Sequence, residues 1–132
     1  MKMKGTLLIL GKESKNGIIF SKDCKVTYPE KVPVTIGFGG KLSETVDPKI
    51  IIGQAEITRD GERILCDCNI TNLDESMMQA LENQNPCELY VGGFYNRVFK
   101  EHNTVNSANL ISMAVLPEHE VADDELKIVR EE

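Results

Sequence analysis

The stretch IIIGQAEITRDGERILCDCNIT, running from Ile50 to Thr71, holds the strongest structural signal in the chain. At its centre, Arg59-Asp60-Gly61-Glu62 carries an Asp-Gly step, a pair that tolerates the positive φ angles of a tight hairpin turn. The arm after the turn alternates strictly, with Ile64, Cys66, Cys68 and Ile70 on one face and Arg63, Leu65, Asp67 and Asn69 on the other. The arm before it, Ile50 to Thr58, is rich in β-branched residues. Together they predict a β-hairpin whose sheet has one packed side.

Outward from this hairpin, short apolar runs separated by turn signals dominate. Downstream, Leu73 to Asn83 predicts a helix: Asn72 with Glu75 forms a capping box, and Leu73, Met77, Met78 and Leu81 make one apolar stripe. That stripe reads as core packing against the sheet, and Asn83-Gln84-Asn85-Pro86 ends the helix. Upstream, Gly5 to Leu10, Gly17 to Phe20 and Lys25 to Tyr28 read as extended pieces. Val32 to Ile36 is β-rich, but Pro33 restricts it to an edge or a strand start. Residues 37–48 form a loop by composition. Glu88 to Phe94, Val98-Phe99, Val105 to Leu116 and Leu126 to Val129 complete the extended segments. The expected fold is mainly β (α+β), a small antiparallel barrel, closed or partly open, with one short helix. The reading is one domain over 1–132, with 117–132 as an acidic C-terminal segment.

At 132 residues the chain can bury roughly two-thirds of its unfolded surface without a disulfide or metal staple. No apolar run reaches the length of a membrane-spanning helix, and no secretory leader is legible. A cytoplasmic location is therefore expected. The net charge of −6 argues against sequence-independent nucleic-acid binding, and 5% aromatics without Trp against a base-stacking platform. Charge is uneven, with seven Lys against three acids in residues 1–31 and seven acids against Lys127 and Arg130 in 117–132. The acidic run is a solvated tail or, on the sharper reading, pairs with a basic face of this molecule or a neighbour.

Cys24, Cys66, Cys68 and Cys87 are expected to be reduced, buried structural thiols. Cys66 and Cys68 share a strand face with Cα atoms about 6.5–7 Å apart and parallel side chains, a poor disulfide geometry. A zinc site would require Cys24 and Cys87 to converge on that pair, and the spacing fits neither ribbon nor finger. No metal or cofactor is expected. The two histidines, His102 and His119, lie in polar loops, and no local signature pairs either with Ser112 or Cys87. Glu56, Asp60, Glu62 and Asp67 read as solvated. Gly37-Phe38-Gly39-Gly40 lacks the Lys-Ser/Thr and following helix of a phosphate loop. In Val91-Gly92-Gly93-Phe94 two glycines interrupt a strand, which marks a bulge or a close backbone approach.

The order of elements resembles the core of the tailed-phage prohead (capsid maturation) protease family. Lys4-Gly5 matches the opening strand, Ile51-Ile52-Gly53 with Asp60-Gly61 the hairpin, and Leu73 to Glu82 the helix. Tyr90-Val91-Gly92-Gly93-Phe94 matches the serine-bearing strand, and Leu110 to Pro117 the last long one. By that resemblance the nucleophile falls at Val91, the histidine near Phe38 and the acid near Leu110, all apolar here. The resemblance thus implies a protease-like domain with no catalytic residues, acting in capsid assembly or as a structural virion component. Its expected partners are proteins (capsid or other head components, or a second copy), with neither nucleic acid nor membrane. Gly37, Gly39, Gly40, Asp123, Asp124 and Glu125 are the expected contacts. The alternatives are a hydrolase using Cys87 or Ser112 with a late histidine, and a generic protein-binding module. If the matched positions are right, Val91, Phe38 and Leu110 form one apolar patch.

Overall fold

The computed structural model describes residues 1–36, 51–73, 75, 81, 85 and 87–131. Eight strands form one sheet: β1 (Lys2–Ile9), β2 (Ile19–Thr27), β3 (Lys31–Ile36), β4 (Ile51–Asp60), β5 (Arg63–Ile70), β6 (Glu88–Glu101), β7 (Thr104–Leu116) and β8 (Lys127–Arg130). Their order is β2-β7-β3-β4-β5-β1-β8-β6, and β6 also pairs with β7. Seven strands therefore close into a barrel, which leaves β2 as an extra strand on the edge of β7.

The central hairpin forms as its sequence dictates. Gly61 takes φ +60° at the turn, and the register runs from Asp60↔Arg63 to Gly53↔Ile70. Ile64, Cys66, Cys68 and Ile70 are all buried while Arg63, Asp67 and Asn69 are exposed, so the period-2 pattern sets which face meets the core. Ile19-Phe20 and Lys25–Thr27, parts of two pieces expected to be separate, are joined through Ser21–Cys24 into the single strand β2. The helix expected over 73–83 and the loop at 37–48 lie wholly or largely outside the described residues.

Two expectations are corrected. The sheet is mixed rather than antiparallel, because β2 and β3 both run parallel to β7 and follow one another along its edge. Thr27 lies opposite Asn109 and Val34 opposite Met113, so one long strand templates two short ones. Nor is β3 an exposed edge. It pairs with β4 on one side and, from Val34 onward, with β7 on the other, while Pro33 precedes the β7 contact and so removes no ladder hydrogen bond there.

The acidic segment is part of the fold rather than a tail. After a 3₁₀ turn at Glu118–Glu120 the chain inserts β8 between β1 and β6, burying Leu126 and Ile128. Gly5 makes this insertion possible, since a Cβ there would stand 1.9 Å from the Lys127 carbonyl oxygen. No helix among the described residues is long and apolar enough to cross a membrane.

Candidate functional site

The wall of the barrel opens where β8 ends. With 4 residues, β8 is far shorter than its neighbours β1 (8) and β6 (14). Its pairing stops at Gly5↔Ile128 on one side and Tyr90↔Lys127 on the other, with the Val91 N–H donating to the Leu126 carbonyl at 2.9 Å just beyond. Past that point β1 and β6 continue with no strand between them, and a cleft of about 440 Å³ occupies the gap. Leu7, Leu8 and Ile9 form one wall and Gly92 to Tyr95 the other. Ile18, Phe20, Ala122 and Leu126 partly cover it.

Glycine shapes this wall. A Cβ on Gly93 would lie 2.7 Å from the Tyr95 hydroxyl oxygen and 2.9 Å from Leu110 Cδ1, so a larger residue requires one of these side chains to move. This is the close backbone approach that the Gly92-Gly93 pair implies, and the neighbouring ladder is irregular between Phe94 and Tyr95. The Tyr95 ring packs against Phe20 at a centroid distance of 5.1 Å. Its hydroxyl is fully buried and has no hydrogen-bond partner. Burial, and then the nearby Cys24 and Cys66 thiols, push this phenol well above its ordinary range, so it is a neutral donor at every physiological pH.

The outer rim of the cleft is held by ion pairs between the basic N-terminal region and the acidic segment. Lys12 Nζ lies 2.8 Å from Asp123 Oδ2 and 2.6 Å from Glu125 Oε2, and Lys15 Nζ lies 2.6 Å from Asp124 Oδ1. Farther along, Lys4 meets Glu131 at 3.0 Å. Burial alone would raise the Asp123 carboxyl, but the hydrogen bonds from Lys12 and the Glu125 N–H outweigh it and hold the group below the ordinary carboxylate value. Asp123, Asp124 and Glu125, expected as contacts for a partner, are thus bonded to lysines of their own chain. Gly37, Gly39 and Gly40 lie outside the described residues.

Val91 and Leu110, two of the three positions matched to protease catalytic groups, are not brought together. Val91 and Leu110 are both fully buried in the core, but Val91 faces Val115 while Leu110 faces Tyr95. That register separates them by four to five residues, about 13–16 Å along the strands. Phe38 lies outside the described residues. The alternative nucleophiles fare no better. Ser112 is buried and its Oγ has no hydrogen-bond partner, so no base stands beside it. Cys87 precedes β6 and His102 follows its far end. His119 sits in the 3₁₀ turn, 3.9 Å from Glu120.

Of the four thiols, Cys24, Cys66 and Cys68 are buried as expected, but Cys87 is exposed because it sits in the turn leading into β6. A hydrogen bond with Cys66 and then burial push the Cys68 thiol up, and burial does the same for Cys24 against the opposing Arg59 charge. Both remain protonated and inert. Among the described residues no group of three or more His, Cys, Asp or Glu is placed to hold a metal ion.

A second feature is the far half of the β6–β7 hairpin, exposed without interruption over residues 96–103. Phe99 is 67% exposed and Val98 44%, an unusual setting for these side chains. Arg97, beside them, holds φ +49° where β6 loses register with β7, and His102 holds φ +53° in the turn. Non-glycine residues rarely adopt this conformation, and such strain concentrates at working sites.

No protein-family profile, curated protein sequence or solved structure matches this chain. Its function must be argued from these features alone. Sequence reasoning missed the cleft, for which the glycine pair was the one available signal. It also passed over Val98-Phe99, whose exposure no local pattern announces.

Proposed function

We propose that this chain is a non-catalytic protein-binding module and that the exposed tip of the β6–β7 hairpin is its contact surface. The observation that carries this reading is Phe99, two-thirds exposed beside Val98 on an arm that buries nothing of its own. Large exposed apolar groups act as anchors for a partner, because covering them recovers burial energy. Arg97 and Lys100 flank them, and neither is in an ion pair among the described residues. The matching surface on the partner is an apolar pocket with an acidic margin.

The resemblance in element order to prohead proteases supplies the setting: a tailed phage or prophage, with capsid or other head components as partners. Ser112, buried and with no hydrogen-bond partner among the described residues, favours binding over hydrolysis. The experiment is co-purification with a tailed-phage major capsid protein, read by light scattering. A stable complex is expected, and Phe99→Ser should weaken it at least tenfold, the usual cost of losing a central anchor. A complex unaffected by this substitution would remove the hairpin from the account. A chain that binds no head component would remove the phage setting.

A further inference from the structure

We propose that the gap between β1 and β6 seats one short extended segment of another protein, held by backbone pairing as an added strand. β8 already shows the mode of binding. It lies between β1 and β6, antiparallel to both, but pairs only with Met3 to Gly5 on one side and Glu88 to Tyr90 on the other. Past it β1 runs on to Ile9 and β6 past Gly93, and no ladder joins the two among the described residues. Two sheet edges left open and facing each other form a template for one more strand.

The phase of each strand identifies the backbone groups that would hold it. The Val91 N–H donates to the Leu126 carbonyl, so two residues on the N–H and C=O of Gly93 also point to the β8 side, away from β7. On β1 a bulge between Thr6 and Leu8 resets the phase. The Leu10 N–H donates to the Glu62 carbonyl, so Leu8 faces β5 and Ile9 faces the gap. Ile9 and Gly93 both line the cleft, and neither bonds across it among the described residues. Backbone donors and acceptors inside a sheet are normally paired, and a strand laid here would pair these. Alternation then sets its chemistry. Leu7, Leu116 and Leu126 line the cleft and are buried, so every second residue of the segment is apolar. Lys12 and Asp123 stand at the rim, so the residues between are polar. This site is independent of the hairpin reading, since Phe99 does not line the cleft.

The test is titration of the full chain, followed by amide chemical shifts, with the peptide acetyl-Thr-Val-Thr-Val-Thr-amide and with the same peptide N-methylated at both valines. The two share their side chains and differ in the N–H groups they present to a sheet edge. Saturable binding of the first peptide at millimolar concentration is expected, with the largest shifts at Ile9 and Gly93. The methylated peptide should bind at least fivefold more weakly, the worth of one neutral hydrogen bond. Ile9→Pro removes the N–H that faces the gap and leaves the β5 ladder intact, so it should weaken the first peptide by a similar factor. Should that variant not fold, the two peptides on the wild-type chain still decide the matter. Absence of saturable binding, shifts located elsewhere, or equal binding of the two peptides would overturn the assignment.

Discussion

Replacing Tyr95 by Phe should make the unliganded protein more stable. The hydroxyl is buried and unpartnered, so folding strips it of water and returns nothing. Such a group costs about 1–3 kcal/mol, and Phe removes it while keeping the ring packed on Phe20. Unfolding entropy of about 2.1 cal/mol/K per residue gives roughly 0.28 kcal/mol/K for a chain of 132 residues. The melting temperature should therefore rise by about 4–11 °C, read by circular dichroism at neutral pH. The sign of the pH dependence follows from the raised phenol pKa: the folded state favours the protonated form. Wild-type stability is thus steady below pH 10, the ordinary value, and falls above it as the unfolded chain ionises. The Tyr95→Phe variant has no phenol to ionise at this position, so the gap between the two proteins widens there. A variant less stable than wild type by about 1 kcal/mol or more would refute the reasoning, since the hydroxyl would then be contributing a hydrogen bond.

Val91→Ser exchanges a fully buried isopropyl group for a hydroxyl and should cost about 1–2 kcal/mol in urea unfolding, with no proteolysis gained on a casein substrate. Thiol labelling of the native protein should modify Cys87 within minutes and leave Cys24, Cys66 and Cys68 until unfolding, and a second fast thiol would contradict the packed barrel. Asp123 has a depressed pKa, so its contribution to the rim is complete above the ordinary carboxylate value and disappears as pH falls through the lower folded one. Protection factors for hydrogen exchange over 118–126 should accordingly fall below about pH 4, and also in high salt at neutral pH, while β4 and β5 stay protected.

How much of this was legible depended on whether the deciding interaction was local. The β4–β5 hairpin was readable because its turn chemistry and alternation lie within 22 consecutive residues. The barrel class followed from counting short strands. The parallel pairing of β2 and β3 with β7 was not, since it joins Thr27 to Asn109 and Val34 to Met113 across some eighty residues with no local mark. Lys22 and Asp23 hid the continuity of β2, because an exposed charged stretch of a strand looks like a loop. The acidic segment looked like a tail because its charges outnumber its apolar residues. Three buried side chains, Val121, Leu126 and Ile128, dock it. The cleft depends on β8 being shorter than both neighbours, a property of register rather than composition. Only Gly92-Gly93 pointed towards it, and what stands beside those glycines was beyond any sequence pattern.

The central claim is that the β6–β7 hairpin tip is a protein contact surface. Hydrogen–deuterium exchange of the chain with and without a tailed-phage major capsid protein tests it most directly. The account predicts protection confined to residues 96–103, lost in Phe99→Ser, with the β4–β5 hairpin unchanged. Binding that protects other elements and leaves 96–103 exchanging freely would contradict it.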